Sequence, residues 1–498
     1  MRSFVLLLSV ALAARVEGQT SPPTAEAAIQ VDQRLITESK TGSGLFKNLT
    51  YIADIIGPRL TGTPAVKKAN DWTAEKMKEY GLGDVRLEPW TLPEGWVRGH
   101  ARGRILEPDN GRVLALSSLA WAPGTKGVVR AEVVIVNAKT IKGLAKYKGK
   151  LKDAAVLLGD PAKLKPYAEI EKIDDAVLPS GGPTPGAKKT QPQEEVVSFR
   201  KALHDFLVEE GAVALLQDAG KHFGLLFTTG NWGTSERPSA EHRMPTIFVA
   251  HDHYALLHRL ASRPAPEKTR IELDVANEFV SGPIVSHNTI GEIKGSEKPD
   301  EFVIVGAHLD SWDLGQGALD NAGGSCVVLE TARVLMKSGV APKRTIRFIL
   351  FTGEEQGLHG SKAYVKLHKE ELAKTSACLV HDTGTGKVIG LGWHGRAELL
   401  PILEKELTSL GSLGVKQLHG RGVAGSDHYT FDKAGVPGCI FRQEVAGYRF
   451  GHHSQADTLE MVREADLIQG VQVMAVAAMR LANLESLLPR AKKEPRTE

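Results

Sequence analysis

Apolar residues in the C-terminal half of the chain form short uninterrupted runs that alternate with helical patterns. The runs EFVIVGAH, TIRFILFTG, ACLVHD and GCIFR are typical of strands buried on both faces of a parallel sheet. A helix is predicted from about residue 322 to 336, and another where apolar residues recur at steps of three or four from Leu467 to Leu488, before Pro489. This alternation predicts an α/β fold with a mixed, mostly parallel sheet sandwiched by helices.

The patterns upstream divide the rest of the chain. Residues 65–82 predict an amphipathic helix with Gly81 as its C-cap. Farther on, the pieces EVVIVNA, DAAVLLGD, AVALLQDAG and MPTIFVA predict short strands of an inserted β-rich domain. The predicted organisation is a signal peptide (1–18), an N-terminal lead and first part of the α/β domain (19–105), the inserted domain (106–280), the rest of the α/β domain (281–488) and a disordered tail (489–498).

The N-terminus has the pattern of a secretory signal peptide. Arg2 precedes an apolar run from Phe4 to Ala14 that is too short to span a bilayer, and Gly18 supplies a small residue at the cleavage site. The alternative is a buried N-terminal helix, but no amphipathic period follows. We therefore expect a secreted or periplasmic protein without a stable membrane anchor after signal cleavage.

Composition and charge narrow the function only by exclusion. The 498 residues are 42% hydrophobic and 24% charged, as in an ordinary soluble protein, and the formal net charge of +3 gives no electrostatic argument for nucleic acid. Cys326, Cys378 and Cys439 stand in apolar surroundings and lack the spacing of a zinc knot. Buried free thiols are the favoured interpretation, with one disulfide as the alternative.

Acidic and histidine residues follow the predicted strands of the α/β domain. His308 and Asp310 close EFVIVGAHLD, Glu354 and Glu355 follow TIRFILFTG, and Asp382 closes ACLVHD. Because ligands bind outside the carboxyl ends of strands in open α/β sheets, these groups are expected to converge on one crevice. The loop GHHSQADT, residues 451–458, adds two histidines.

Carboxylates and imidazoles without cysteine suit zinc or a similar divalent ion. The stretch GAHLDSWDLGQGALDNAGGS crowds several carboxylates together, and cations would relieve their repulsion. Asp320 is the natural bridge between two metals, and Asp310 is placed to orient the His308 ring. Each residue alone also fits a solvated turn, so the joint occurrence carries the interpretation. Asp313 and His452 are interpreted as structural or rim residues.

These residues, in this order, resemble the signature of the co-catalytic zinc exopeptidases of peptidase family M28. The form HLDSWDLGQGALDNAGG most resembles the carboxypeptidase Q branch. The likeness covers about 285–488 and extends to IIGPRLTGTPA at 55–65, and the middle of the chain is similar to a protease-associated (PA) domain. The signature consists of His308-x-Asp310, Asp320-Asn321-Ala322-Gly323-Gly324, Glu354-Glu355, Asp382 and His453-x-x-x-Asp457-Thr458.

The resemblance implies two Zn²⁺ per chain and a role for each residue of the signature. Glu354 would be the general base, and Asp427 and His428 in GSDHYTFDKAGVPG resemble the loop beside the substrate pocket, although a loop-structuring role stays open. The implied ligands are His308, Asp320 and Asp382 for one zinc, and Asp320, Glu355 and His453 for the other.

The resemblance implies a metallodipeptidase or carboxypeptidase acting on dipeptides or short peptides with free termini. A broad aminopeptidase is the alternative, followed by a non-catalytic, receptor-like binding protein. A serine hydrolase lacks support because no G-x-S-x-G elbow is present. Arg421, Arg442 and Arg449 are candidates to bind a substrate carboxylate, each with a solvent-facing alternative. A peptide substrate is the expected partner, and a homodimer is one of the oligomeric states left open.

Overall fold

The computed structural model describes residues 25–490, apart from 109–110, 167–168, 170–192, 231–242, 265 and 446. The predicted signal peptide and residues 491–498 of the predicted tail lie outside the described residues. Arg490, which was assigned to that tail, is held in place: its guanidinium donates to the carbonyls of Thr375 (2.9 Å) and Gly435 (3.2 Å).

The strands, in chain order, are β1 (Gly83–Val97), β2 (Ala101–Glu107), β3 (Leu116–Ser118), β4 (Val129–Val136), β5 (Ala154–Leu158), β6 (Ala214–Asp218), β7 (Thr246–Val249), β8 (Arg270–Val275), β9 (Glu278–Ile293), β10 (Lys298–His308), β11 (Arg344–Phe351), β12 (Thr375–His381), β13 (Val388–Gly392), β14 (Gln417–Gly420) and β15 (Gly438–Gln443).

The α-helices of the described residues are α1 (Ala25–Ser39), α2 (Leu45–Thr50), α3 (Pro64–Glu79), α4 (Ile141–Leu144), α5 (Gln193–Glu209), α6 (His251–Ala261), α7 (Gly323–Ser338), α8 (His359–Leu367), α9 (Leu400–Glu406), α10 (His428–Lys433), α11 (Tyr448–Gly451) and α12 (Glu464–Ala482).

The larger sheet has eight strands in the order β1-β9-β11-β10-β12-β15-β13-β14. Its centre, β11-β10-β12-β15, is parallel, and β9 and β13 flank it in antiparallel pairing. The apolar runs of the sequence form this parallel centre, where every residue of β11 and β12 is buried. The prediction of a mixed, mostly parallel sheet is confirmed.

Helices cover both faces of this sheet. Successive residues of β10 alternate between the faces: Val303 and Val305 join the core beneath α7 and α12, whereas Ile304 joins the core beneath α8 and α10. Within the described residues, α12 alone is long and apolar enough to cross a membrane, but 78% of its most apolar 18-residue stretch is buried. It is therefore a core helix of the α/β sandwich.

The second sheet has seven strands in the order β2-β8-β4-β5-β6-β7-β3, all from residues 101–275. Its centre, β4-β5-β6-β7, is parallel. Tyr254 and Leu257 of α6 pack on one face, and Leu203 and Leu207 of α5 pack on the other. Residues 101–275 therefore have an apolar core of their own. This is the part of the chain in which the inserted domain, 106–280, was predicted.

Two local predictions have different outcomes. Cys326, Cys378 and Cys439 are buried free thiols, as the favoured interpretation expected. The C-terminal helix was predicted to reach Leu488, but α12 ends at Ala482. The Asn483 side chain accepts a hydrogen bond from the Lys343 backbone N–H (2.8 Å), which ties the chain to the start of β11 instead of letting it continue as helix.

Candidate metal centre

The predicted ligands meet at the carboxyl edge of the parallel strands. His308 is the last residue of β10, Glu354 and Glu355 follow β11, and Asp382 directly follows β12. These three strands are neighbours in the sheet, so their ends lie side by side. Asp320 lies three residues before α7, with non-helical dihedral angles (φ −133°, ψ 85°).

One half of the site is built around His308, which is buried. Its Nε2 atom lies 3.2 Å from Asp320 Oδ1 and 3.0 Å from Asp382 Oδ1. The side-chain amide of Asn321 also donates to Asp382 Oδ1 (3.1 Å). Thus the three residues proposed for one metal have their donor atoms within a single cluster.

The other half is built around His453. Its Nε2 atom lies 3.0 Å from Glu355 Oε2 and 3.6 Å from Asp320 Oδ2. The two carboxylate oxygens of Asp320 therefore face different sets of donors. Oδ1 faces His308, and Oδ2 faces His453.

Asp310 contacts two parts of the site. Its backbone carbonyl lies 3.0 Å from His308 Nδ1, nearer than its carboxylate at 3.6 Å. The carboxylate instead accepts from Thr61 Oγ1 (2.8 Å) and from the backbone N–H groups of Glu354 and Glu355 (3.4 Å each). One residue thus contacts both the His308 ring and the loop that carries the two glutamates.

The electrostatics are those of a buried cluster with excess negative charge. Burial raises the pKa of Glu354 and of Glu355 well above the usual value, and neighbouring carboxylates raise both further. Burial lowers the pKa of His308, but the charges of Asp382 and Glu354 outweigh it and hold that pKa well above its usual value. Burial lowers the pKa of His453 to about 4, which favours the neutral, ligating imidazole.

The residues present fit zinc. Imidazole nitrogens and carboxylate oxygens are its usual donors besides cysteine, and both types converge here. Donor atoms of His308, Asp320 and Glu355 lie within 4.8 Å of one another. Glu355 Oε1 is buried without a hydrogen-bond partner among the described residues, and an unsatisfied buried carboxylate oxygen is costly unless a cation takes it up.

His452, interpreted from sequence as structural or rim, comes closer to the centre than that interpretation implies. Its ring stacks on His453 (3.7 Å between centroids), and its Nε2 atom lies 3.8 Å from Asp320 Oδ2. Asp320, His452 and His453 form a second group with donor atoms within 4.8 Å of one another. His452 therefore borders the metal centre.

The candidate pocket residues Asp427 and His428 face different surroundings. Asp427 is fully buried, burial raises its pKa to about 7, and the charges of His308 and Asp382 act on it. The His428 ring instead stacks on His394, 4.9 Å away. Of these two residues, Asp427 is the one on which the charges of the metal centre act.

Of the three arginines that were candidates to bind a substrate carboxylate, one is already hydrogen-bonded within the protein and one is exposed to solvent. Arg442 donates to Gln417 Oε1 (2.9 Å), and Arg421 is exposed. Arg449 lies over the Phe450 ring, with 5.9 Å between its guanidinium carbon and the ring centroid.

Two further residues hold the loops around the metal centre, and only one of them, Asp457, was named in the sequence signature. Arg59 is fully buried, and its guanidinium donates to the carbonyls of Gly57, Leu309, Gln316 and Gly317 at 2.7–3.0 Å. Asp457 accepts from the Leu319 backbone N–H (2.6 Å). Asp457 belongs to the signature His453-x-x-x-Asp457-Thr458, whereas the only signal for Arg59 was its place in the segment of family likeness at 55–65.

Asp313, interpreted as structural or rim, has a specific partner. Arg98 binds both of its carboxylate oxygens (2.7 and 2.8 Å), and the same guanidinium reaches Ser118 Oγ (3.0 Å) and Thr228 Oγ1 (3.1 Å). Ser118 belongs to β3 of the second sheet. The acidic loop after β10 is therefore bonded to the second sheet through Arg98.

Known proteins resemble this chain over most of its length. The sequence model of Peptidase family M28 matches residues 288–478. Carboxypeptidase Q of Mus musculus is 30% identical over 447 residues, which are 90% of this chain and 87% of that protein. The crystal structure of the Peptidase M28 precursor from Shewanella amazonensis has a TM-score of 0.75 and 27% identity, covering 94% of this chain and 100% of that one.

The zinc aminopeptidase BSAP from Bacillus subtilis is a more distant structural relative. It has a TM-score of 0.62 at 21% identity, covering 87% of this chain and 93% of that one, which is a likeness of fold. The similarity therefore includes the second sheet as well as the edge of the larger sheet that carries the metal centre.

Proposed function

This chain belongs to peptidase family M28 and is a metallopeptidase, and on that premise we propose that it is an exported dinuclear zinc exopeptidase acting on dipeptides or short peptides with free termini. The proposal of free termini is supported by the likeness to carboxypeptidase Q over 90% of the chain. The apolar N-terminal run supports export.

The orientation of the Asp320 carboxylate is the observation that supports a site for two metal ions. Its Oδ1 atom lies 3.2 Å from the His308 imidazole, and its Oδ2 atom lies 3.6 Å from the His453 imidazole. A carboxylate so placed is suited to bridge two cations. We propose that His308, Asp320 and Asp382 hold one zinc and that Asp320, Glu355 and His453 hold the other.

Zinc held by these residues would supply Lewis acidity to the substrate carbonyl and to the attacking water. The proton transfers fall to Glu354. Its raised pKa suits a group that accepts a proton from the water and passes it to the leaving amine. Asp310 restrains this loop, since it accepts from the backbone N–H groups of both glutamates.

We also propose that residues 106–280 form the inserted PA-like domain. The seven-stranded sheet takes its strands from residues 101–275 and has an apolar core separate from that of the larger sheet. An insertion with its own core is expected to form a distinct domain.

The test uses one dipeptide in unblocked, N-acetylated and C-amidated forms, with and without a zinc chelator. We expect the unblocked form to be cleaved fastest and the chelator to abolish cleavage. Equal rates for the amidated and unblocked forms would favour the aminopeptidase alternative. Cleavage of the N-acetylated form alone would overturn both assignments, and chelator-insensitive cleavage would overturn the zinc mechanism.

The Glu354→Gln variant tests the proposed base in the same experiment. We expect kcat to fall by about 10²–10⁴-fold while bound zinc, measured by elemental analysis, stays at the wild-type level. Glu460→Gln, which changes an exposed glutamate, is the matched control and should keep wild-type kcat. Retained activity in Glu354→Gln would show that another group takes the proton.

A further inference from the structure

A segment between β6 and β7 of the second sheet reaches across to the loop that carries His453. The ammonium group of Lys221 donates to the backbone carbonyls of His452 (2.7 Å), Arg449 (3.1 Å) and Phe450 (3.5 Å). These are carbonyls at the end of the short helix α11, which intrahelical bonds leave unsatisfied. Lys221 thus binds three backbone carbonyls in the residues immediately before His453.

The same segment contacts His453 itself. The Thr228 backbone N–H donates to the carbonyl of His453 (2.8 Å), and the Phe227 ring stacks on the imidazole with 5.7 Å between centroids. On another side, Trp312 makes an edge contact with that imidazole, also at 5.7 Å. The Leu226 backbone N–H donates to Gln455 Oε1 (2.8 Å) just beyond.

His453 needs such support because of its backbone conformation. Its φ of +55° lies in the left-handed region, which non-glycine residues adopt only when their surroundings impose it. Its ring must also hold Nε2 at 3.0 Å from Glu355 Oε2. A free loop would lose this arrangement, so the contacts from Lys221, Phe227 and Thr228 fix both the backbone and the ring.

We propose that Lys221 and Phe227 are positioning residues for His453, so that the segment from the second sheet helps to retain one of the two zinc ions. The inference rests on the zinc ligation proposed above. It gives the second sheet a role in metal retention, and it predicts that damage to this segment weakens one metal and spares the other.

The test measures zinc affinity in the Lys221→Met variant. Groups that orient metal ligands typically contribute about 10–100-fold to affinity. We expect one zinc per chain to bind at least about tenfold more weakly than in the wild type, while the zinc held by His308 and Asp382 keeps its affinity. Competition with a chromogenic chelator, added to the fully loaded full-length protein, resolves the two sites.

The matched control is Lys343→Met. The Lys343 side chain is also mostly shielded (14% exposed), and its ammonium pairs with Glu485 (2.7 Å) at the opposite end of the sheet. This variant should bind both zinc ions as the wild type does. Thermal unfolding of the zinc-free proteins supplies a second readout, in which Lys221→Met should lose no more stability than the control.

The outcomes separate this inference from the proposed function. Wild-type protein that binds no zinc would overturn both. Two tight zinc ions in the wild type and in Lys221→Met would overturn the role of Lys221 alone, as would equal weakening of both ions. If Lys221→Met does not fold, Phe227→Leu takes its place. It removes the stacked ring, over which the Lys221 ammonium lies at 5.8 Å, and leaves the hydrogen bonds of Lys221 in place. Wild-type zinc affinity in Phe227→Leu would then overturn the inference.

Discussion

Arg59 lies beneath the metal centre, surrounded by backbone oxygens. Its guanidinium donates to four carbonyls, three of them in the stretch between His308 and Asp320. Burial lowers its pKa to about 10, so it stays charged at neutral pH, and Asp457 and Asp310 partly offset the effect of burial. One side chain therefore replaces the solvent that these carbonyls would otherwise require.

We expect the Arg59→Met variant to lose at least about 3 kcal/mol of unfolding free energy, because each buried acceptor left unsatisfied costs about 1–3 kcal/mol. Denaturant unfolding of the zinc-free protein measures this loss without the contribution of the metal. Arg442→Met is the control, since Arg442 bonds to Gln417 near the surface, and its effect should stay within about 0.5 kcal/mol. A small loss in Arg59→Met would mean that water can satisfy these carbonyls.

For single residues, the sequence predicted which side chains form the site better than it predicted their hydrogen-bond and ion-pair partners. Residue type and position predicted that carboxylates and imidazoles converge at the strand ends, and the resemblance to family M28 implied the ligands. The structure brings together donor atoms of His308, Asp320, Glu355, Asp382 and His453. Their roles as ligands stay predictions.

The partners of several residues could not be predicted. Asp313 pairs with Arg98, 215 positions away, and Lys221 reaches the carbonyl of His452, 231 positions away. Such pairings depend on how two sheets pack, which no local pattern specifies. The interpretation of His452 as a structural or rim residue likewise missed that its ring stacks on the ring of His453.

Among the elements, α3 shows how a local pattern fixes a boundary. Pro64 occupies its first turn, and Gly81 follows its last residues with φ +88°, a left-handed conformation that glycine adopts readily. A Cβ atom at Gly81 would lie 3.2 Å from Met336 Cε, so α7 also limits this position. The C-cap itself is Tyr80, so the predicted cap, Gly81, is the left-handed residue directly after it.

The Gly81→Ala variant should lower the unfolding free energy by about 1–2 kcal/mol, since the left-handed conformation is costly for alanine. Chemical denaturation of wild type and variant measures the difference. The control is Gly411→Ala, where the backbone is not left-handed and an added Cβ would meet nothing within 4 Å. Equal stability of the two variants would show that the chain relaxes at this cap.

The buried parallel strands were the easiest elements to predict, because their apolar runs need no partner to be identified. The long ribbon of β1 and β9 was harder. Half of β9, from Glu278 to Val285, is largely exposed and carries no run or clean alternation. Its strand conformation comes from antiparallel pairing with β1, from Gly83↔Glu292 to Val97↔Glu278. Tertiary pairing here overrides weak local preference.

In the whole molecule, the candidate metal centre is a concentration of buried negative charge that bound cations would offset. Carboxylates of Asp310, Asp320, Glu354, Glu355 and Asp382 lie together at one edge of the larger sheet. Cations that bind only the folded chain stabilise it by mass action.

We expect zinc at a hundredfold excess over its dissociation constant to raise the unfolding free energy by about 2.7 kcal/mol for each site, relative to the chelated protein. Thermal unfolding at several zinc concentrations measures this dependence. Replacing Glu355 with Gln, which removes one proposed ligand, should reduce the zinc-dependent part. An unfolding temperature independent of zinc in the wild type would contradict a resident metal.

The order in which the ligands occur along the chain has a consequence for biosynthesis. His308 and His453 are separated by 145 residues (453 − 308), and three further strands, β13 to β15, lie between Asp382 and His453. A chain that ends between Asp382 and His453 contains the three proposed ligands of one zinc, His308, Asp320 and Asp382, and lacks a ligand of the other. Because metal binding and folding are coupled, full loading would occur only in chains synthesised past this point. Zinc occupancy would thus distinguish completed molecules from truncated ones.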